Sequence, residues 1–240
     1  SQNADSTWIV NNYIKMEKAI PMRDGIKLFT SIYVPKDNAE KHPILITRTP
    51  YSCSPYGETF KDFWNSYENE YFKEGYIMVI QDVRGRWMSE GNFVDVRPFN
   101  ANKKGNGIDE ASDAYDAIDW LVKNIPGNNG NVGVFGISYP GFYSTMAAAS
   151  NHPALKAVSP QAPVTNWFIG DDFHHKGVFF LMDAFDFYSA LGTGFGQPHP
   201  APTTFKARSI GYPDHNNYKF FLETGALKNF AKYMGDTIAF

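Results

Sequence analysis

Residues Gly136-Ile137-Ser138-Tyr139-Pro140-Gly141 place a serine between a short apolar run ending at Phe135 and a helical pattern starting near Pro140. A serine on a sharp strand-to-helix turn exposes its hydroxyl for attack on a carbonyl. The N-terminus of the following helix favours the negative charge that then develops on oxygen. Such a turn needs a small residue two positions before the serine, and Gly136 meets that demand. On the far side Pro140 stands where the general G-x-S-x-G pattern has glycine, and Gly141 comes one place later, so that pattern is only partly met. The competing reading is a glycine-rich turn whose serine merely caps the helix. Acyl transfer also needs a base and an acid. The six histidines are His42, His152, His174, His175, His199 and His215. Asp183 or Asp186 with His199, or Asp214 with His215, complete a triad only on paper, because none sits at the end of a sheet strand, where this chemistry takes its partners.

The elements that must position the serine are legible as an alternation. Residues 13 to 34 read as strand, turn and strand, with Asp24-Gly25 as the turn. Pro43 to Thr47 and Tyr76 to Ile80 are short continuous apolar runs, the pattern of strands buried on both faces. Between them Phe60, Trp64, Tyr67 and Tyr71 recur at helical spacing, which predicts a helix over about 61–73. Ala111, Ala114, Tyr115, Ile118, Leu121 and Val122 form a second helical stripe before the strand Val132 to Phe135, and Leu155 to Val158 adds another strand after the serine's helix. Strand and helix in turn from residue 43 to 160 predict an α/β fold with a mainly parallel sheet. After Pro163 the alternation stops. Trp167 to Tyr188 reads as helical with an aromatic face, and residues 165 to 240 are expected to hold no further sheet strand.

Composition removes other classes of function. The 240 residues are 43% hydrophobic and 20% charged, enough for a sizeable core. The net charge of −3, with no Lys/Arg-rich tract, argues against nucleic acid as a partner. No apolar run approaches the roughly 20 residues of a membrane-spanning helix. The single cysteine, Cys53, excludes an internal disulfide framework and a multi-thiolate zinc site, and no metal or cofactor is called for. A start at Ser1 without an apolar leader reads as a processed or shortened chain, and a periplasmic or secreted location is the expectation, with a cytoplasmic one left open.

Taken together, these stretches resemble the branch of α/β-hydrolases that contains α-amino acid ester hydrolases, cocaine esterase and X-prolyl dipeptidyl peptidases. That branch carries G-x-S-Y-x-G, so Pro140 and Gly141 fit it. Met22-Arg23-Asp24-Gly25, Arg48-Thr49-Pro50-Tyr51, Asp82-Val83-Arg84-Gly85-Arg86 with Ser89-Glu90-Gly91, and Gly170-Asp171-Asp172-Phe173 match in family order. The last stretch, with Trp167 before it, is most similar to the α-amino acid ester hydrolases.

The resemblance implies that Ser138 attacks an ester or amide carbonyl while the backbone N–H of Tyr139 and the hydroxyl of Tyr51 receive the oxyanion. Read alone, Tyr51 is a tyrosine packing under a loop. Asp172 is implied to join a carboxylate cluster binding a substrate α-ammonium. Against that role, Asp171 or Asp172 reads equally as the N-cap of a helix starting near Phe173. Asp82, Arg84 and Arg86 read as a structural carboxylate-guanidinium pairing after a strand, outside catalysis. The expected substrates are small α-amino esters, amides or short peptides, including β-lactam acyl side chains. X-prolyl dipeptidyl peptidase, general carboxylesterase and a non-catalytic interaction module are the alternatives. Residues 1–163 are then the N-terminal part of the hydrolase domain and 164–240 part of a helical cap. The acid, the histidine, the remaining strands and a C-terminal β-domain are expected outside this chain. An aromatic cap cut short points to a homo-oligomer or a complementing C-terminal fragment.

Overall fold

The computed structural model describes residues 2–37, 39–166, 169–170, 172–191, 197–202 and 217–234. They divide into two compact units, Ser1–Val164 with Phe195–Ala201, and Thr165–Gly194 with Pro202–Phe240.

The first unit opens with helix α1 (Gln2–Asn12) and the antiparallel ribbon β1 (Tyr13–Pro21) and β2 (Lys27–Pro35). Gly25 turns the ribbon at φ +88°, a conformation that costs a residue without Cβ nothing. Then come β3 (His42–Thr49), a 3-10 turn (Phe63–Asn65), α2 (Glu68–Lys73) and β4 (Ile77–Asp82). After them come α3 (Glu110–Asn124), β5 (Asn128–Ile137), α4 (Tyr139–Ala149) and β6 (Leu155–Gln161). The sheet order is β1-β2-β4-β3-β5-β6, with β4, β3, β5 and β6 parallel.

Two apolar layers cover this sheet, and successive residues of β4 show why. Ile77 and Val79 face a cluster with Ala114, Ile118 and Leu121 of α3 and Ala147 of α4. Met78 and Ile80 face the opposite cluster, with Ile9 of α1, Phe63 and Phe72. Side chains alternate across a strand, so a strand covered on both faces must be apolar at every position. The helix expected over 61–73 is broken in two. Ser66 is extended, at φ −127° and ψ 171°. Its hydroxyl donates to Phe63 O and accepts the Glu68 N–H, so the side chain replaces the helical ladder there.

Buried ion pairs tie α3 to the strand ends. Arg84 makes a bidentate pair with Asp113, at 2.9 and 2.7 Å, and a further 2.7 Å contact with Asp24. Arg48 lies 3.3 Å from Glu110 and 3.8 Å from Asp113. The expected pairing after β4 is therefore corrected: the carboxylates on Arg84 are Asp24 and Asp113. Asp82 instead accepts the backbone N–H groups of Cys53, at 2.7 Å, and Met88, at 3.5 Å.

The second unit holds the hairpin strands β7 (His174–His175) and β8 (Val178–Phe179), then α5 (Leu181–Leu191), α6 (Asn217–Thr224), a 3-10 turn (Leu227–Phe230) and α7 (Ala231–Met234). Two expectations are corrected here. A strand pair exists after residue 165, and the helix read over Trp167 to Tyr188 begins only at Leu181; Trp167 itself lies outside the described residues. Lys176 and Gly177 both have positive φ, +49° and +83°, which is the two-residue turn that reverses a hairpin. Phe185, Phe220 and Phe230 form this unit's buried centre. Among the described residues no helix is long and apolar enough to cross a membrane.

Removing the Asp113 carboxylate leaves two guanidiniums, each at most 2% exposed, short of a counter-charge. Asp113→Ala is expected to cost about 3–5 kcal/mol in chemical denaturation. Lys123→Ala, in a pair whose lysine is 67% exposed, is expected to cost less than about 0.5 kcal/mol.

Candidate active site

Strand β5 runs buried through Phe135 and Gly136, and the chain enters α4 one residue after the strand ends. Ser138 makes that turn at φ +62° and ψ −119°, a conformation that non-glycine residues rarely hold. Its N–H donates to Gln161 O of β6 at 2.9 Å, and its carbonyl accepts the Phe142 N–H at 3.1 Å. The side chain is exposed and makes no capping bond to the helix, which removes the reading of Ser138 as a simple cap.

Both glycines of the stretch are required by space. A Cβ on Gly136 would lie 2.5 Å from backbone and ring atoms of Pro140, and one on Gly141 would lie 2.6 Å from Gln161 O. The second close approach falls at Gly141, where α4 meets the end of β6. Pro140 occupies the first helical turn, where its missing N–H costs nothing.

Tyr139 is the first residue of α4, so its N–H is free of the intrahelical ladder. Its ring is 1% exposed and stacks on Tyr143 at 5.3 Å, and the Arg48 guanidinium lies over Tyr143 at 5.5 Å. The column Arg48, Tyr143, Tyr139 thus rises from the sheet to the serine turn. Tyr139 and Tyr143 stand four apart, one helical turn, which is the sequence signal that could have found Tyr143. Arg48 stands in the matched stretch Arg48-Thr49-Pro50-Tyr51, whereas Glu110 carries no signal of its own. Burial pushes the Glu110 carboxyl up, against the pull of Arg48.

Tyr51 follows β3 by two residues and is 46% exposed. Its N–H donates to Thr49 Oγ1 at 3.0 Å, and its ring meets the Tyr139 ring edge-on at 6.3 Å. The preceding carbonyl, Pro50 O, accepts from Arg86 Nε at 3.0 Å and Trp87 Nε1 at 2.9 Å. Beyond Tyr51, Asp82 anchors Cys53. The loop that carries the phenol is therefore held on both sides, and Asp82 and Arg86 do this work from the chain after β4. Burial pushes the Asp82 carboxyl up to about 6.

Ser138 and Tyr139 thus follow the C-terminal end of β5 and Tyr51 follows that of the neighbouring parallel strand β3, with the Tyr51 ring against that of Tyr139. Asp172 is exposed in the second unit, just before β7, and Asp171 lies outside the described residues. The helix that either aspartate was to cap starts only at Leu181, so the capping reading of Asp172 is lost. His42 opens β3 and His152 precedes β6, so both stand at the opposite end of the parallel strands from Ser138. His199 N–H donates to Trp87 O at 2.8 Å, and its ring lies 5.8 Å from the Trp87 ring. Asp183 and Asp186 are in the other unit from His199; Asp214 and His215 lie outside the described residues. Among the described residues no group of three or more His, Cys, Asp or Glu side chains is arranged to hold a metal ion.

Comparison with known proteins adds to this geometry. A family model described as X-Pro dipeptidyl-peptidase (S15 family) matches residues 24–223. Cocaine esterase of Rhodococcus sp. (strain MB1 Bresler) is 31% identical over 179 residues, covering 73% of this chain and 28% of that protein. The solved structure of an α-amino acid ester hydrolase is 37% identical with a TM-score of 0.76, over 94% of this chain and 36% of that one. An aminopeptidase from a marine sediment Thaumarchaeota archaeon is 34% identical with a TM-score of 0.76, over 93% and 36%. The chain spans about a third of the length of these relatives. Its fold is the α/β-hydrolase fold.

Gly136→Ala is expected to lower Tm and abolish any special reactivity of Ser138, because the Pro140 backbone cannot yield. Gly170→Ala, whose Cβ would meet nothing within 4 Å, is expected to leave Tm unchanged. A pH dependence follows from Asp82. Its folded value lies above the unfolded one, so its contribution to stability is whole below about pH 4 and is lost as pH rises to about 6. Denaturation midpoints measured across that window are expected to fall for the parent chain and to fall less for Asp82→Asn.

Proposed function

The chain belongs to the X-Pro dipeptidyl-peptidase (S15) family, and on that premise we propose that it carries the nucleophile and oxyanion site of a serine hydrolase acting on esters or amides of α-amino acids. The observation that carries this reading is Ser138 itself, exposed, uncapped and held at positive φ between two glycines that admit no side chain. Strain of this kind persists where the surroundings over-determine it, and it clusters at reacting groups.

In the proposed reaction Ser138 Oγ bonds to the substrate carbonyl carbon and the carbonyl oxygen becomes an oxyanion. The Tyr139 N–H and the Tyr51 hydroxyl donate to that oxygen, and the positive end of the α4 dipole lies beneath it. Collapse breaks the bond to the alcohol or amine, which leaves with a proton. Water then attacks the Ser138 ester, releasing the acid and restoring the hydroxyl. The Ser138 proton passes through a general base to the departing alcohol or amine, and in the second step the same base takes a proton from water and returns one to Ser138 Oγ.

Substrates with a free α-amino group are favoured because both solved relatives, an α-amino acid ester hydrolase and an aminopeptidase, are named for such compounds. Asp172, exposed in the second unit, is the proposed carboxylate for the ammonium. Dipeptides ending in proline are the second reading, favoured by the description of the family.

The test is intact mass of the full-length protein before and after a fluorophosphonate. One adduct, lost in Ser138→Ala, is the expected result, and labelling that Ser138→Ala leaves unchanged would overturn the reading. Tyr51→Phe is expected to lower kcat about a hundredfold, the cost of one oxyanion donor. Asp172→Asn is expected to raise KM for an α-amino ester about tenfold or more, the size of a lost charge-assisted bond, and to leave its des-amino analogue unchanged. Release of p-nitroaniline from a glycyl-prolyl anilide separates the peptidase reading from the ester one.

A further inference from the structure

The phenol of Tyr139 is held at its far end by a loop that the proposed chemistry does not use. Its hydroxyl donates to Asp95 Oδ1 at 2.6 Å and accepts the Val96 N–H at 2.7 Å. Val96 sits at φ +34°, a conformation that a β-branched residue adopts only under constraint. That strained peptide directs its N–H at the tyrosine oxygen. The loop is itself seated closely, for a Cβ at Gly85 would lie 2.0 Å from Phe93 N. The Phe93 ring carries the Arg86 guanidinium at 5.1 Å and tilts against the Tyr139 ring at 6.5 Å. Burial, with Tyr143 and the Asp95 charge adding to it, pushes the Tyr139 phenol far above its ordinary range, so it stays a donor to Asp95.

We propose that Asp95 is a positioning residue for the oxyanion site, acting through Tyr139. The inference rests on the reading of Ser138 and Tyr139 given above. Only two side-chain torsions separate the pinned phenol oxygen from the Tyr139 backbone, whose N–H is the proposed donor. The same ring packs edge-on against Tyr51, the second proposed donor. One clamped ring therefore sets the angle of the first donor and supports the second. Burial alone would hold the ring in its layer, and the paired bonds to Asp95 and Val96 fix its rotation as well. An unclamped ring would let both donors drift, and small losses of geometry there are felt in the transition state more than in substrate binding.

The experiment measures kcat, KM, fluorophosphonate labelling rate and Tm on the full-length protein and its Asp95→Ala, Asp95→Asn, Tyr139→Phe and Asp95→Ala/Tyr139→Phe variants. Asp95→Ala is expected to lower kcat and the labelling rate about tenfold or more with KM within about twofold, as for a misplaced oxyanion donor. Asp95→Asn keeps an acceptor for the phenol and is expected to recover most of the loss. Tyr139→Phe removes both bonds and is expected to match Asp95→Ala, with the double variant no worse than either, the signature of one coupled unit. Wild-type kcat in a folded Asp95→Ala or Tyr139→Phe protein would overturn the proposal, as would additive losses. Should Asp95→Ala fail to fold, Tyr139→Phe and Asp95→Asn decide the matter by the same readouts. Loss of labelling in Ser138→Ala with an unaffected Asp95→Ala would sink this inference alone, whereas labelling that survives in Ser138→Ala would sink the reading beneath it.

Discussion

Strand β5 and helix α4 meet with a single residue between them, and the close approach of Gly136 to Pro140 sets the terms for everything around it. A strand cannot turn into a helix that sharply unless one residue takes an unfavourable backbone conformation and its neighbours give up their side chains. Ser138 takes the conformation, at φ +62°, and Gly136 and Gly141 give up the side chains. The cost, of order 1–3 kcal/mol for such a residue, is borne by the rest of the unit. In return the hydroxyl stands clear of the helix it precedes, with unpaired backbone N–H groups beside it.

The surrounding structure is arranged to hold that turn. Gln161 O of β6 takes the Ser138 N–H, so that strand fixes the turn from one side. From beneath, the column of Arg48, Tyr143 and Tyr139 carries it down to the ion pairs of Glu110 and Asp113 at the start of α3. Buried ion pairs are weak evidence for stability, since desolvation offsets much of their attraction. Their geometry is demanding, however, and here the pairs of Arg48 and Arg84 with Asp113 join the ends of β3 and β4 to the start of α3. Asp82 and Arg86 do the same with backbone partners, holding the loop on either side of Tyr51. Placement of the proposed site and core electrostatics are thus parts of one construction.

Much of this was legible in the residues because it depends on local periodicity. Runs such as Tyr76 to Ile80 are apolar at every position because both faces of β4 are covered, and the stripe from Ala111 to Val122 marks one face of α3. The serine turn was legible because its glycines must be small. Where local signals competed, the reading failed. The aromatic spacing over 61–73 hid the break at Ser66, and the aromatic face read across 167–188 hid a hairpin whose turn, Lys176-Gly177, lacks the asparagine or aspartate that usually announces it. Pairings made by the fold alone left no trace. Tyr139 and Asp95 are 44 positions apart, and Arg84 takes Asp24 from 60 positions away, so nothing in the neighbourhood of either residue names its partner.

In the proposed reaction Ser138, Tyr139 and Tyr51 form one acyl-transfer site. The most direct measurement is a crystal structure of the full-length protein after reaction with an aryl phosphonate. Phosphorus is expected on Ser138 Oγ, with one phosphonyl oxygen about 2.7–3.1 Å from both Tyr139 N and Tyr51 Oη, the geometry of an occupied oxyanion hole. Phosphorus on another residue, or an oxygen on Ser138 that meets neither donor, would contradict it.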